Sequence, residues 1–79
     1  MNRSKPDIYK IVGANIKAIR EAKVISISDL ARQCGMQADN FKELEAGNAE
    51  LRLSTFVHIK NLLGVSYEQL FHLPDEYER

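Results

Sequence analysis

Apolar residues recur along this chain at the spacing of helices, and strand-like alternation is essentially absent. Ile8, Val12, Ile16 and Ile19 follow one another at steps of four, four and three, which sets them on one helical face. Lys10, Lys17 and Glu21 fall elsewhere. Pro6 suits a first helical turn and Asp7 is favourable at that end, so a first helix is predicted from about Pro6 to Ala22. Gly13 inside it costs roughly 1 kcal/mol against alanine, which implies close approach of another backbone. Ser26 and Asp29 have capping-box spacing, with Asp in place of Glu or Gln weakening the reciprocal half. A second helix follows, with Leu30, Ala31 and Cys34 inward, and Gly35 ends it. Met36 and Gln37 make a short turn. A third helix then runs from about Ala38 to Ala46, with Phe41 and Leu44 inward and Gly47 at its end. Beyond the loop from Asn48 to Arg52, a fourth helix covers about Leu53 to Leu63, with Phe56, Ile59, Leu62 and Leu63 inward, closed by Gly64. Ser66 caps a short fifth helix, Tyr67 to His72, with Leu70 and Phe71 packing back. The expected architecture is an all-α, compact five-helix bundle.

Composition and charge refine this picture. At 79 residues the chain is one domain, expected as a flexible arm over 1–6, a folded unit over 7–73 and an acidic tail over 74–79. A domain this small buries a modest fraction of its surface, so a dimer contact would help it. The chain is 44% hydrophobic and 28% charged, which fits a folded protein rather than a disordered one. No apolar run approaches the ~18 residues that span a bilayer, and the N-terminus lacks a secretion signal, so the expected location is the cytoplasm. The single cysteine, Cys34, forms no intramolecular disulfide; it reads as a small buried apolar residue, the alternative being a redox-sensitive thiolate. The formal net charge is zero, which is unhelpful to a nucleic-acid binder. Yet residues 1–35 hold seven Lys/Arg against three Asp/Glu, whereas residues 36–79 hold four against eight. A phosphate-binding face would therefore draw mainly on the first half. Arg3 and Lys5 make a short basic arm, either disordered or adding salt-sensitive contacts.

Two short helices joined by a tight glycine-containing turn form a helix-turn-helix over 24–47, the geometry of a DNA reader. The chain resembles the phage-repressor and Cro-type helix-turn-helix family, also called the xenobiotic-response-element family. The resemblance rests on Ile16-Lys17-Ala18-Ile19-Arg20-Glu21, Ile25-Ser26 with Asp29-Leu30-Ala31, Gly35-Met36 and Leu44-Glu45-Ala46-Gly47. Leu53-Ser54-Thr55-Phe56 and Leu63-Gly64-Val65-Ser66-Tyr67-Glu68-Gln69-Leu70-Phe71 extend it, so that it spans about residues 11–71. It implies a lambda-repressor-like DNA-binding fold, double-stranded DNA as partner, and an ion pair between Arg20 and Glu45 tying the first helix to the third.

Ile27, Gln37, Ala38, Asp39, Asn40, Lys42 and Glu43 would then face base edges. Amide and ammonium groups suit adenine and guanine, a carboxylate can accept from cytosine, and Ile27 can touch a thymine methyl. Asp39 and Glu43 are nevertheless repelled by nearby phosphates, which makes this surface unusually acidic. Ser26, Asn48, Arg52 and the amide groups opening the second and third helices would contact phosphate. The expected regulator is a repressor-like homodimer joined through Val65, Tyr67, Phe71 and Tyr77, controlled through its own concentration. The alternative is a protein-interaction module on the same scaffold, with the acidic groups facing a basic protein partner. Enzyme and cofactor readings have little support. His58 and His72 lie fourteen residues apart and far from Cys34, no metal-ligand spacing occurs, and no nucleophile elbow or phosphate-cradling loop is present.

Overall fold

The computed structural model describes residues 7–74. The arm over 1–6, with Arg3 and Lys5, and the residues beyond Pro74, Tyr77 among them, lie outside the described residues. Asp7 opens the first helix, α1 (Ile8–Ala22), where its carboxylate accepts from the backbone N–H groups of Tyr9 at 3.1 Å and Lys10 at 3.3 Å. Helices α2 (Ile27–Gln33), α3 (Ala38–Glu45), α4 (Leu53–Leu63) and α5 (Tyr67–Leu70) follow, and the described residues contain no strand. Ser26 caps α2 by accepting from Asp29 N–H at 3.0 Å. The Asp29 carboxylate does not reach back; it pairs with Arg32 at 2.8 Å. Ser66 and Gln69 form the complete capping box at α5.

The core joins Val12 and Ile16 of α1 to Leu30, Phe41, Leu44, Phe56, Ile59, Leu63 and Leu70. Helix α1 packs against α3 and α5, and α2 against α3. Each fully buried side chain of this kind contributes about 1.5–3 kcal/mol. The apolar pattern comes out differently at several positions: Ile19 and Leu62, expected inward, are only half-buried against the core. Ile11, not Ile8, joins the buried face of α1, and Ile8, the first residue of the helix, is exposed. Cys34 is half-buried, since it caps the end of α2 instead of lying within it.

The crossing of α1 and α3 is unusually close. A Cβ on Gly13 would stand 2.5 Å from the Glu45 carbonyl oxygen and 2.6 Å from that of Leu44. At the other end of the contact, a Cβ on Gly47 would meet Lys10 Cα at 2.6 Å. Glycine at these two positions is what lets the backbones touch.

Helix α5 stops at Leu70, earlier than the predicted His72, and the carbonyls at that end are taken up by a side chain of α1. Asn15 Nδ2 donates to the carbonyls of Leu70 at 2.7 Å and His72 at 3.0 Å. Val65 is a correction: it is 9% exposed and packed in the core, so it has no surface to offer a second protomer. Tyr67 and Phe71 flank the Phe56 ring, with centroids 5.6 and 5.2 Å away, and both keep exposed faces.

Val24, just past the C-cap of α1, has φ of 58° and is 89% exposed. A β-branched residue is strained in that left-handed conformation, which glycine adopts freely. Val24→Gly should therefore raise unfolding free energy by about 1 kcal/mol in urea titrations. Gly13→Ala should lower it by about 1–3 kcal/mol, because the carbonyls it strikes belong to backbone that cannot move alone.

Candidate nucleic-acid interface

Helices α2 and α3 are joined by a turn whose geometry is closed by its own backbone. Gly35, at φ of 72°, donates to Arg32 O at 3.0 Å, and Met36 N–H donates to Ala31 O at 2.8 Å. Phe41 and Leu44 anchor the inner face of α3. The opposite side presents Asp39, Asn40, Lys42 and Glu43 to solvent, preceded by exposed Gln37. Gln37 is the N-cap of α3, and its side chain makes no cap hydrogen bond, leaving the amide free. Ala38 is half-buried.

Ile27 is half-buried and packs against the core, so only part of its side chain faces outward. It forms the floor of a notch of about 350 Å³ together with Lys17, Arg20, Lys42, Glu45 and Ala46. The notch joins Lys42 to Lys17, a residue of α1 that nothing in the linear spacing singles out. Lys17 lies in the same stretch as Arg20, one turn earlier on α1, and Lys42 one turn before Glu45 on α3. Of the expected phosphate contacts, Ser26 is exposed and already accepts the cap hydrogen bond, which leaves its hydroxyl proton free to donate. Asn48 and Arg52 are exposed in the connection between α3 and α4. Asn48 N–H donates to Glu43 O at 2.9 Å, which ties that loop to the end of α3.

Behind the notch, Arg20 Nε donates to Glu45 Oε2 at 2.7 Å and Nη2 to Oε1 at 3.2 Å, a two-pronged contact. Nη1 donates to the Ile25 carbonyl at 2.8 Å, which fixes the entry into α2 as well. The hydrogen bond to Glu45 raises the Arg20 pKa above its already high value, against the opposing pull of burial. The arginine's contribution is thus complete at every ordinary pH and would fade only as pH rose through that elevated value. Burial pushes the Cys34 thiol up, so the cysteine is a thiol, not a reactive thiolate, near neutral pH.

This arrangement, two short helices in a fixed turn with a polar outer row, defines a helix-turn-helix domain. The model of the Cro/C1-type helix-turn-helix DNA-binding domain matches residues 15–76, and the chain belongs to that family. It is a DNA-binding, non-enzymatic regulator. Solved structures agree in fold. The clp gene regulator ClgR from Corynebacterium glutamicum superposes with a TM-score of 0.78 at 20% identity, over 86% of this chain and 71% of that one. A second structure of ClgR gives a TM-score of 0.77 at 23% identity, over 84% and 86%. The hypothetical transcription factor NHTF from Neisseria gives 0.76 at 30% identity, over 89% and 78%. No curated protein sequence matches the chain. Among the described residues no helix is long and apolar enough to cross a membrane, and no group of three His, Cys, Asp or Glu is placed to hold a metal ion.

Removing one partner of a buried ion pair leaves the other uncompensated. Glu45→Ala should therefore destabilise the fold by about 3–5 kcal/mol in urea titrations, and the paired change Arg20→Met with Glu45→Leu by much less.

Proposed function

We propose that the protein is a repressor-like transcriptional regulator that binds a two-fold-related DNA site as a homodimer, laying α3 into the major groove. The observation that carries this reading is the row of exposed polar side chains on α3, held rigid by the packing of α3 against α1. Gln37 and Asn40 supply amides for adenine, while Asp39 and Glu43 favour cytosine amino groups, the carboxylates lowering general affinity for DNA and sharpening the choice of site. The names of the similar structures, a clp gene regulator and a transcription factor, support the same role. Two protomers would present two α3 helices to half-sites about one helical turn apart. Their contact falls on the exposed apolar rings of Tyr67 and Phe71, which flank Phe56; Phe71 and Phe56 also line a shallow groove with Ile8, Tyr9 and Leu53.

Fluorescence anisotropy with mixed-sequence duplex DNA tests this directly. Binding should occur at low salt and weaken as salt rises. A folded protein that binds no duplex at low salt overturns the reading and favours a protein-interaction module with a basic partner. After selection from random duplexes, Asn40→Ala should relax preference at one position per half-site, at about 1–3 kcal/mol.

A further inference from the structure

The notch between α1, α2 and α3 has a charge balance that the base-reading role of α3 does not use. Each of the three Arg20 nitrogens already has a partner in Glu45 or the Ile25 carbonyl, so that pair adds no net charge. Lys17 of α1 and Lys42 of α3 are exposed on its lining, and neither forms an ion pair among the described residues. The notch is therefore a doubly cationic recess with Ile27 and Ala46 as apolar lining.

The lining of the notch shows which way Lys42 faces. Lys42, Glu45 and Ala46 stand at i, i+3 and i+4, one stripe of α3, and all three line the notch. Asp39 stands one turn before Lys42 on the adjoining surface of α3, and neither it nor Glu43 lines the notch. Lys42 thus leans toward α1, beside the row that would face base edges. Compact, hydrated ammonium groups in such a recess suit a phosphate oxygen, a contact that positions the protein without reading sequence.

Resting on the DNA-binding reading, we propose that this notch holds one backbone phosphate of duplex DNA between Lys17 and Lys42, and that Lys42 positions α3 and does not read a base. The two ammonium groups offset the repulsion between that backbone and the carboxylates of Asp39 and Glu43.

The test is a salt titration of binding to the duplex that the wild-type protein selects from random sequence. Wild type, Lys17→Ala, Lys42→Ala, the double variant and Lys60→Ala on α4 are compared, with circular dichroism as the check of folding. The double variant should lower the slope of log affinity against log salt by about one per bound protomer, and weaken binding roughly eightfold per protomer at about 0.1 M salt. Each single variant should do less, because the other lysine still holds the phosphate. Lys60→Ala should keep the wild-type slope, and Lys42→Ala should leave the order of preferred sequences unchanged. The notch is overturned if the double variant keeps the wild-type slope, if Lys60→Ala loses as much, or if Lys42→Ala relaxes one base position with the slope intact. A wild-type protein that binds no duplex overturns the DNA reading as well, so the two failures are distinguishable.

Discussion

The fold depends on how closely α1 and α3 cross. Gly13 lets the α1 backbone rest against the Leu44 and Glu45 carbonyls, and Gly47 lets the chain after α3 lie on Lys10. The Arg20–Glu45 pair locks that crossing from the side, and its remaining donor holds Ile25, the residue that leads into α2. One arginine therefore couples three segments: the end of α1, the entry to α2 and the end of α3. The angle at which α3 meets a ligand is set there and not in the turn alone. A buried pair of this kind adds little net stability over apolar residues, and its value lies in fixing one arrangement.

That rigidity separates the scaffold from the surface it carries. The inner faces of α2 and α3 are apolar and tightly packed, while the outer row mixes amides, carboxylates and one ammonium group. A chain with formal net charge of zero has little long-range attraction for DNA. Its cations must act locally, and the notch lined by Lys17 and Lys42 concentrates two of them where α1 and α3 meet. In the proposed DNA-bound arrangement the carboxylates of Asp39 and Glu43 trade general affinity for discrimination, and the positive charge beside them offsets part of that loss.

Much of this was legible in the linear pattern. Capping serines, helix-ending glycines and inward apolar positions of α2, α3 and α4 all have local causes, so spacing reveals them. Gly13 was legible as a close approach because glycine inside a helix has a cost that something must offset. What escaped depends on distant partners. Asn15 takes up carbonyls at the end of α5, more than fifty residues away in sequence, which no local pattern encodes. Val65, expected beside the fifth helix as part of a dimer contact, folds back into the core. Lys17 looked like an ordinary solvated lysine, and only the α1–α3 crossing brings it to the same notch as Lys42.

The central claim is that the α2–α3 face, backed by the α1–α3 crossing, is where DNA binds. Titrating ¹⁵N-labelled protein with the selected duplex, and following amide shifts by NMR, tests it most directly. The account predicts shifts concentrated at Lys17, Ile27, Gln37, Ala38, Asp39, Asn40 and Lys42, with the interior of α4 unmoved. Shifts confined to the surface around Tyr9, Leu53 and Phe71, with α3 silent, would contradict it.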